Sequence, residues 1–381
     1  METQLIRSAE APGAAPDAAR RLLAGLGPGP FALIILLLPP GADLGGIAGA
    51  VHAAHPQAVQ TGCTTAGEIG QGGYSEGMAI AIGLPARHFA ARSLVVPDLD
   101  AMQPRALTGQ VIRARSALLA AAPGWRDDFA FLLVDGLSRR EDVLASALAA
   151  GLGPTPLFGG SAADGSRFLE TFVIHDGQVL RHAAVLALVR SACPVRVFKL
   201  DHFRPTATRM VVTAADPANR VVRRINDEPA GREYARILGK DPGQLTPFIF
   251  AAHPVLVRVG GQHHVRSIRQ VDETGDLIFY SAIDEGLVLS LAEPLDMVTH
   301  LEAGLRGLSA VRPPAAILGC DCVLRRMEAQ EKQLTRRVSA LLARHRVIGF
   351  STYGEQMGAL HVNQTLTGVA LYPPDAAEAV Q

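Results

Sequence analysis

The chain has 381 residues, 48% apolar and 19% charged, with 36 basic side chains against 36 acidic ones. A formal charge of zero leaves no basic surplus for nucleic-acid phosphates or acidic membrane surfaces. The longest apolar run, Phe31 to Leu38, ends at Pro39-Pro40 and is far shorter than the ~20 residues of a spanning helix, so no membrane insertion is expected.

The N-terminus has no basic region followed by an apolar one, and four cysteines (Cys63, Cys193, Cys320, Cys322) are too few for a disulfide framework. A cytoplasmic protein is expected. The length exceeds what one core usually serves, which predicts two domains.

Residues 1–30, rich in Ala, Pro and Gly, are expected to be a flexible segment with a short helix over Asp17 to Leu26. Phe31 to Leu38 has the continuous apolar run of a strand covered on both faces. A helix over Leu44 to Ala54, a strand entering GCTTAGEI and a strand over Met78 to Leu84 follow. Pro104 to Ala122 places Leu107, Val111, Leu118 and Leu119 on one helical face.

The pattern then starts over. Phe129 to Val134 is a strand. Ser138 and Glu141 stand three apart before an amphipathic run, which reads as a capping box, and LFGGSAADG precedes a hairpin turning at His175 to Gln178. A polar stretch near Arg224 marks the expected domain boundary, giving domains over 31–224 and 225–373 and a tail over 374–381. Pro229 opens a helix, and strands are expected at Pro247 to Ala251, Val255 to Val259, Val265 to Val271, Leu277 to Ser281 and Leu287 to Leu291.

The pattern starts a third time with the strand Ala315 to Gly319, a helix over Met327 to Arg346, and VIGFSTYGEQMGALHVNQTLTGVAL over 347–371. A unit of strand, helix, glycine loop and strand therefore occurs three times. Its loops read GCTTAGE (62–68), GGSAADG (159–165) and GFSTYGE (349–355). Each begins with glycine, suited to a tight turn or positive φ. Thr64, Ser161 or Ser351 stands third, and Glu68, Asp164 or Glu355 follows. Such loops commonly just close a layer, but three on rigid sheets can converge on one cleft.

No P-loop and no strand-to-helix G-x-G-x-x-G occurs, which excludes the common nucleotide sites. Cys320 and Cys322 have the wrong spacing for a zinc knuckle and read as buried thiols. An acyl-transfer or amide hydrolase would use Cys63, Ser161 or Ser351 as nucleophile with His361 or His182 as base. A hydroxyl repeated in all three loops argues for architecture instead, and no G-x-S-x-G elbow is present, so a non-enzyme is expected. Of the 12 histidines, His361 is the one set between a glycine loop and a buried strand, and it is the metal or haem candidate.

The segments GCTTAGEI, GYSEGMAIAIGL, LFGGSAADG, PAGREYARILG, DCVLRR and GFSTYGEQMGALHVNQTLTGVAL resemble those of bacterial FIST proteins, with FIST N and FIST C domains. The likeness covers about residues 31 to 372. It implies a signal-transduction sensor of small ligands, with amino acids one proposed class, and GFSTYGEQ and HVNQT look close to a branch that binds haem, senses nitric oxide and acts on histidine kinases. No family motif fixes an axial ligand.

The expected fold is α/β, two domains of mixed sheets packed with helices and built from the repeated units. Expected ligand-lining residues are Glu68, Asp164, Ser351, Tyr353, Glu355 and Asn363, with His361 added if haem is bound. The signal would pass to a separate partner such as a histidine kinase.

Overall fold

The computed structural model describes residues 5–165 and 167–374. The first unit comprises β1 (Arg7–Pro12), α1 (Ala18–Leu26), β2 (Phe31–Leu38), α2 (Leu44–Ala54), β3 (Val59–Thr64), the hairpin β4 (Glu68–Gly70) and β5 (Gly73–Ser75), β6 (Met78–Pro85) and β7 (Phe89–Val96). The second comprises α3 (Pro104–Ala121), β8 (Asp127–Val134), α4 (Glu141–Leu152), β9 (Leu157–Ser161), the hairpin β10 (Val173–His175) and β11 (Gln178–Leu180), β12 (Ala184–Ser191) and β13 (Val195–Leu200).

A module follows: β14 (Phe203–Asp216), β15 (Val221–Ile225), β16 (Glu228–Pro229), α5 (Ala230–Ile237), α6 (Pro247–Ala252), β17 (Val255–Val259), β18 (Gln262–Arg266), β19 (Ile268–Val271), β20 (Leu277–Phe279) and β21 (Val288–Pro294). The third unit has α7 (Met297–Leu308), β22 (Ala316–Cys322), α8 (Val323–Glu331), α9 (Thr335–Arg344), β23 (Val347–Thr352), the hairpin β24 (Glu355–Met357) and β25 (Leu360–Val362), and β26 (Leu366–Leu371).

Each unit builds a sheet but lends its hairpin to another unit. The three six-stranded sheets run β1-β6-β2-β3-β10-β11, β7-β12-β8-β9-β24-β25 and β13-β26-β22-β23-β4-β5. In each, two parallel strands flank the helical crossover, and β6, β12 or β26 returns antiparallel beside the first of the two, with β1, β7 or β13 at one edge. The repeat read in the sequence is thus a cyclic, threefold arrangement. The eight-stranded fourth sheet, β18-β17-β21-β14-β15-β20-β19 with β16 on β15, forms the module.

The continuous apolar runs follow from burial on both faces. Leu33, Ile35 and Leu37 of β2 join Phe129, Phe131, Leu318, Phe350 and Val369 in a core shared by the three sheets. Ile34, Leu36 and Leu38 alternate outward onto Leu22 and Ile47 of the covering helices. Truncating one such side chain to Ala costs about 2–5 kcal/mol.

Several expectations need correction. Residues 7–26 are ordered into β1, which pairs with β6, and α1, because the alternating Ala9 and Ala11 bury against the outer face of that sheet. As a structural division distinct from the expected domain bounds, the module runs from Phe203 to Pro294, with Arg224 on its strand β15 between β14 and β20. The tail from 374 falls outside the described residues beyond Pro374. The run at 247–252 is helical. The long helix expected over 327–346 breaks in two, with Gln333 at φ 55° between α8 and α9. Ser138 does not cap α4, whose first residue, Glu141, faces Arg220 instead.

Candidate functional site

The three glycine loops meet and bond in a ring. Ala163 N donates to the Thr64 carbonyl (2.9 Å), Ala66 N to that of Ser351 (2.9 Å) and Tyr353 N to that of Ser161 (3.3 Å). These three bonds join equivalent positions around the threefold arrangement. Gly62, Gly159 and Gly349 do not have positive φ. They are glycine because a Cβ would run into the carbonyl oxygen of Leu36, Leu132 or Gly319 on the neighbouring strand. Ala66, Ala163, Tyr353 and Val323 form a small apolar cluster there, edged by Leu137, Phe168 and Leu324.

Two of the expected acids are consumed by their own unit. Glu68 accepts from Thr65 Oγ1 (2.5 Å) and Met78 N (3.1 Å), tying its hairpin to the start of β6. Glu355 repeats this with Thr352 Oγ1, and with Thr365 Oγ1 (2.7 Å) and N (3.2 Å) before β26. Burial pushes the Glu355 carboxyl up to about 8, against the Thr352 and Thr365 bonds, so it is largely protonated at neutral pH.

Asp164 is different, because it is the hub of the turn carrying Phe168. It accepts from the N–H groups of Phe168 (2.8 Å), Leu169 (2.9 Å) and Glu170 (3.1 Å) and from the Tyr353 hydroxyl. Burial raises its pKa, but the Tyr353 and N–H bonds outweigh that and hold it below the usual range. Phe168, at φ 54°, stacks on Tyr353 at 4.1 Å.

His361 and Asn363 come together against Gly354, where a Cβ would collide with the imidazole and press on the Asn363 amide nitrogen. At the corresponding position of the first unit, Gly67 (φ 111°), the Arg326 guanidinium fills the space. It is met there by the Ser75 carbonyl (2.8 Å), Glu76 (3.2 Å) and the Tyr74 ring. At Gly354 no such charge enters. Gln356 Nε2 donates to Ser161 Oγ (3.0 Å) and to His361 Nδ1 (3.2 Å). Asn363 is 0% exposed, yet neither amide atom has a partner.

The module closes over this hairpin. Arg266 Nη1 donates to the His361 carbonyl (2.5 Å). Arg220 joins the Tyr280 carbonyl (2.5 Å) to Glu141 (2.5 Å), and Ala282 N donates to Asp142 (3.2 Å). Unpartnered buried polar atoms gather along the same seam: Arg266 Nε, Ser267 Oγ, Ser281 Oγ, Gln356 Oε1, both ends of Asn363, and Gln364 Oε1. Buried polar groups ordinarily find a partner, so a seam with this many marks a place where water or a ligand belongs.

Of the expected residues, the structure brings Tyr353 to Asp164 and His361 to Asn363. It leaves Glu68 on the third sheet and Ser351 on the ring, its hydroxyl buried and unpartnered. His361, the expected metal or haem candidate, lies enclosed beneath the module. Burial lowers its pKa to about 4, and Gln356, Gly354 and the Tyr280 main chain enclose its ring. Among the described residues, the side chains grouped as a metal site would need are Asp98, Asp100 and His182, with Asp100 already paired to Arg140 at 2.6 Å. Cys63 is fully buried and its thiol is pushed well up by burial.

Phe168, Arg220, Arg266 and Tyr280 are not singled out by sequence, and Glu141 only as half of a capping box. Gln356 lies within GFSTYGEQ, so a polar residue two beyond Gly354 was a usable signal. No helix of the described residues is long and apolar enough to cross a membrane.

Residues 32–228 match the FIST N domain and residues 230–358 the FIST C domain. No curated protein matches the chain. Among solved structures it is similar to a chorismatase crystal structure, with 10% identity over 97% of this chain and 99% of that one; the TM-score of 0.36 carries no argument. The chain belongs to the FIST family, whose FIST N and FIST C domains are small-ligand-binding sensor domains of signal transduction.

Proposed function

We propose that this protein senses a small polar ligand held in the seam between the β24–β25 hairpin and the module, and passes the signal to a separate partner such as a histidine kinase. The observation that carries this is Asn363, fully buried with a donor and an acceptor both unused. The seam mixes unused acceptors (Asn363 Oδ1, Gln356 Oε1) with unused donors (Asn363 Nδ2, Arg266 Nε), which suits an amino-acid-type molecule. A ligand there touches both bodies at once, so its presence changes how the module sits on the three-sheet core. That relation is what a partner would read.

The test is a thermal-shift screen of amino acids and related small polar molecules on wild type and Asn363→Leu. The account expects a ligand that raises the wild-type melting temperature and has no effect on the variant. The unliganded variant should melt no lower than wild type, since Leu replaces an unsatisfied amide of similar shape. A ligand effect that persists in Asn363→Leu counts against this seam.

The protein is proposed to bind and not to catalyse. Cys63 is a protonated, enclosed thiol and Ser351 has no base bonded to it, so Ser351→Ala and Cys63→Ala should change no ester or amide hydrolysis. Haem, with nitric oxide as input, is the alternative that the family resemblance carries, and the enclosed His361 ring weighs against it. Protein purified with haem supplied is expected to show no stoichiometric Soret band.

A further inference from the structure

Arg266 is 6% exposed, and among the described residues its guanidinium makes one hydrogen bond, from Nη1 to the His361 carbonyl. Nε, on the opposite side, is buried with no partner. No described carboxylate is ion-paired with Arg266. Two carboxylates act on it from beyond ion-pair distance: Asp142, engaged by Arg220 at 3.6 Å and by Ala282 N at 3.2 Å, and Asp284, which is exposed. Glu141 is likewise taken by Arg220.

A buried guanidinium with no carboxylate in direct contact is costly and is ordinarily paired. The side left free here, Nε with Nη2, is the planar two-donor fork that matches a carboxylate. The neighbouring unused acceptors, Gln356 Oε1 and Asn363 Oδ1, would meet the donor groups of the same molecule.

We infer that Arg266 is the anchoring residue of the seam and takes a carboxylate of the ligand through the free Nε/Nη2 side of its guanidinium. This rests on the ligand seam proposed above and adds the chemical class of the ligand. The Nη1 bond to His361 fixes the plane of the fork, and the seam's other free groups then choose among carboxylates.

Calorimetric titration with the standard amino acids, their carboxamides, acetate and inorganic phosphate tests it on wild type, Arg266→Gln and Arg266→Lys. The expected result is a carboxylate that binds wild type about 10- to 100-fold tighter than its carboxamide, the worth of hydrogen bonds to a charged group. Arg266→Gln should erase that difference while still binding the carboxamide, which also reports that it is folded. Should Arg266→Gln fail to fold, Arg266→Lys keeps the charge, loses the fork and is expected to bind the carboxylate about tenfold more weakly. A carboxamide or phosphate that binds as well as the carboxylate, or a variant with wild-type carboxylate affinity, overturns the inference while leaving the seam standing. If no probe binds wild type, the seam reading falls and the inference with it.

Discussion

The Tyr353 phenol donates to the Asp164 carboxylate, 189 positions earlier in the chain, and the same oxygen accepts from Phe168 N at 3.2 Å. One hydroxyl thus joins the third glycine loop to the second and holds the turn that stacks Phe168 on Tyr353. Tyr353→Phe keeps the stack and removes the donor, and should lower the unfolding free energy by about 1–3 kcal/mol in urea melts. Asp164→Ala should cost more, because it strands the Leu169 and Glu170 N–H groups as well. Equal effects would mean that the turn does not depend on the carboxylate.

Glu355 makes stability fall as the solution becomes alkaline. Its folded pKa of about 8 lies above the ordinary value of 4.5 that it has in the unfolded chain. The folded state therefore holds the proton longer, and the stabilisation present below 4.5 is lost as pH rises through 8. The slope is about 1.4 kcal/mol per pH unit in that window. Denaturant midpoints of wild type against Glu355→Gln between pH 5 and 9, a range chosen to span that window, should show the variant gaining on wild type as pH rises. Parallel curves would mean that the carboxyl titrates normally.

The Arg220–Glu141 pair, at 2.5 Å, fastens the module to α4 in a buried place. Glu141→Gln should destabilise by about 2–4 kcal/mol, since it leaves the buried guanidinium only the longer contact to Asp142 at 3.6 Å, and adding Arg220→Met should recover part of that loss. Additive losses in the double variant would show that the two charges are not coupled.

The threefold repeat is legible because each unit carries a long strand buried on both faces and a glycine that the neighbouring carbonyl demands, as at Gly62 beside Leu36. The hairpin exchange is not legible, because strands of three residues such as β24 and β25 have no measurable period and their partners are fixed by the ring of loops. The helix over 247–252 fails for a related reason, since a six-residue apolar run fits a strand as well as a buried helix turn. GFSTYGEQMGALHVNQ covers the β24–β25 hairpin, and there His361 and Asn363 lie side by side. Glu68 and Glu355 each brace their own unit beside a loop threonine, a role the sequence pattern does not distinguish from ligand contact. Arg266 comes from β18, 95 residues before His361, and Tyr280 from the bend just after β20, and only the docking of the module gives them a role.

The central claim is that a small molecule completes the seam at Asn363. The most direct measurement is a crystal structure of the protein grown with the best compound from the thermal-shift screen. The account predicts density for that compound within hydrogen-bond distance of the Asn363 amide, with Ser281, Gln356 or Arg266 satisfied by the same molecule. Ordered water alone on these groups, with the compound bound elsewhere, would contradict it.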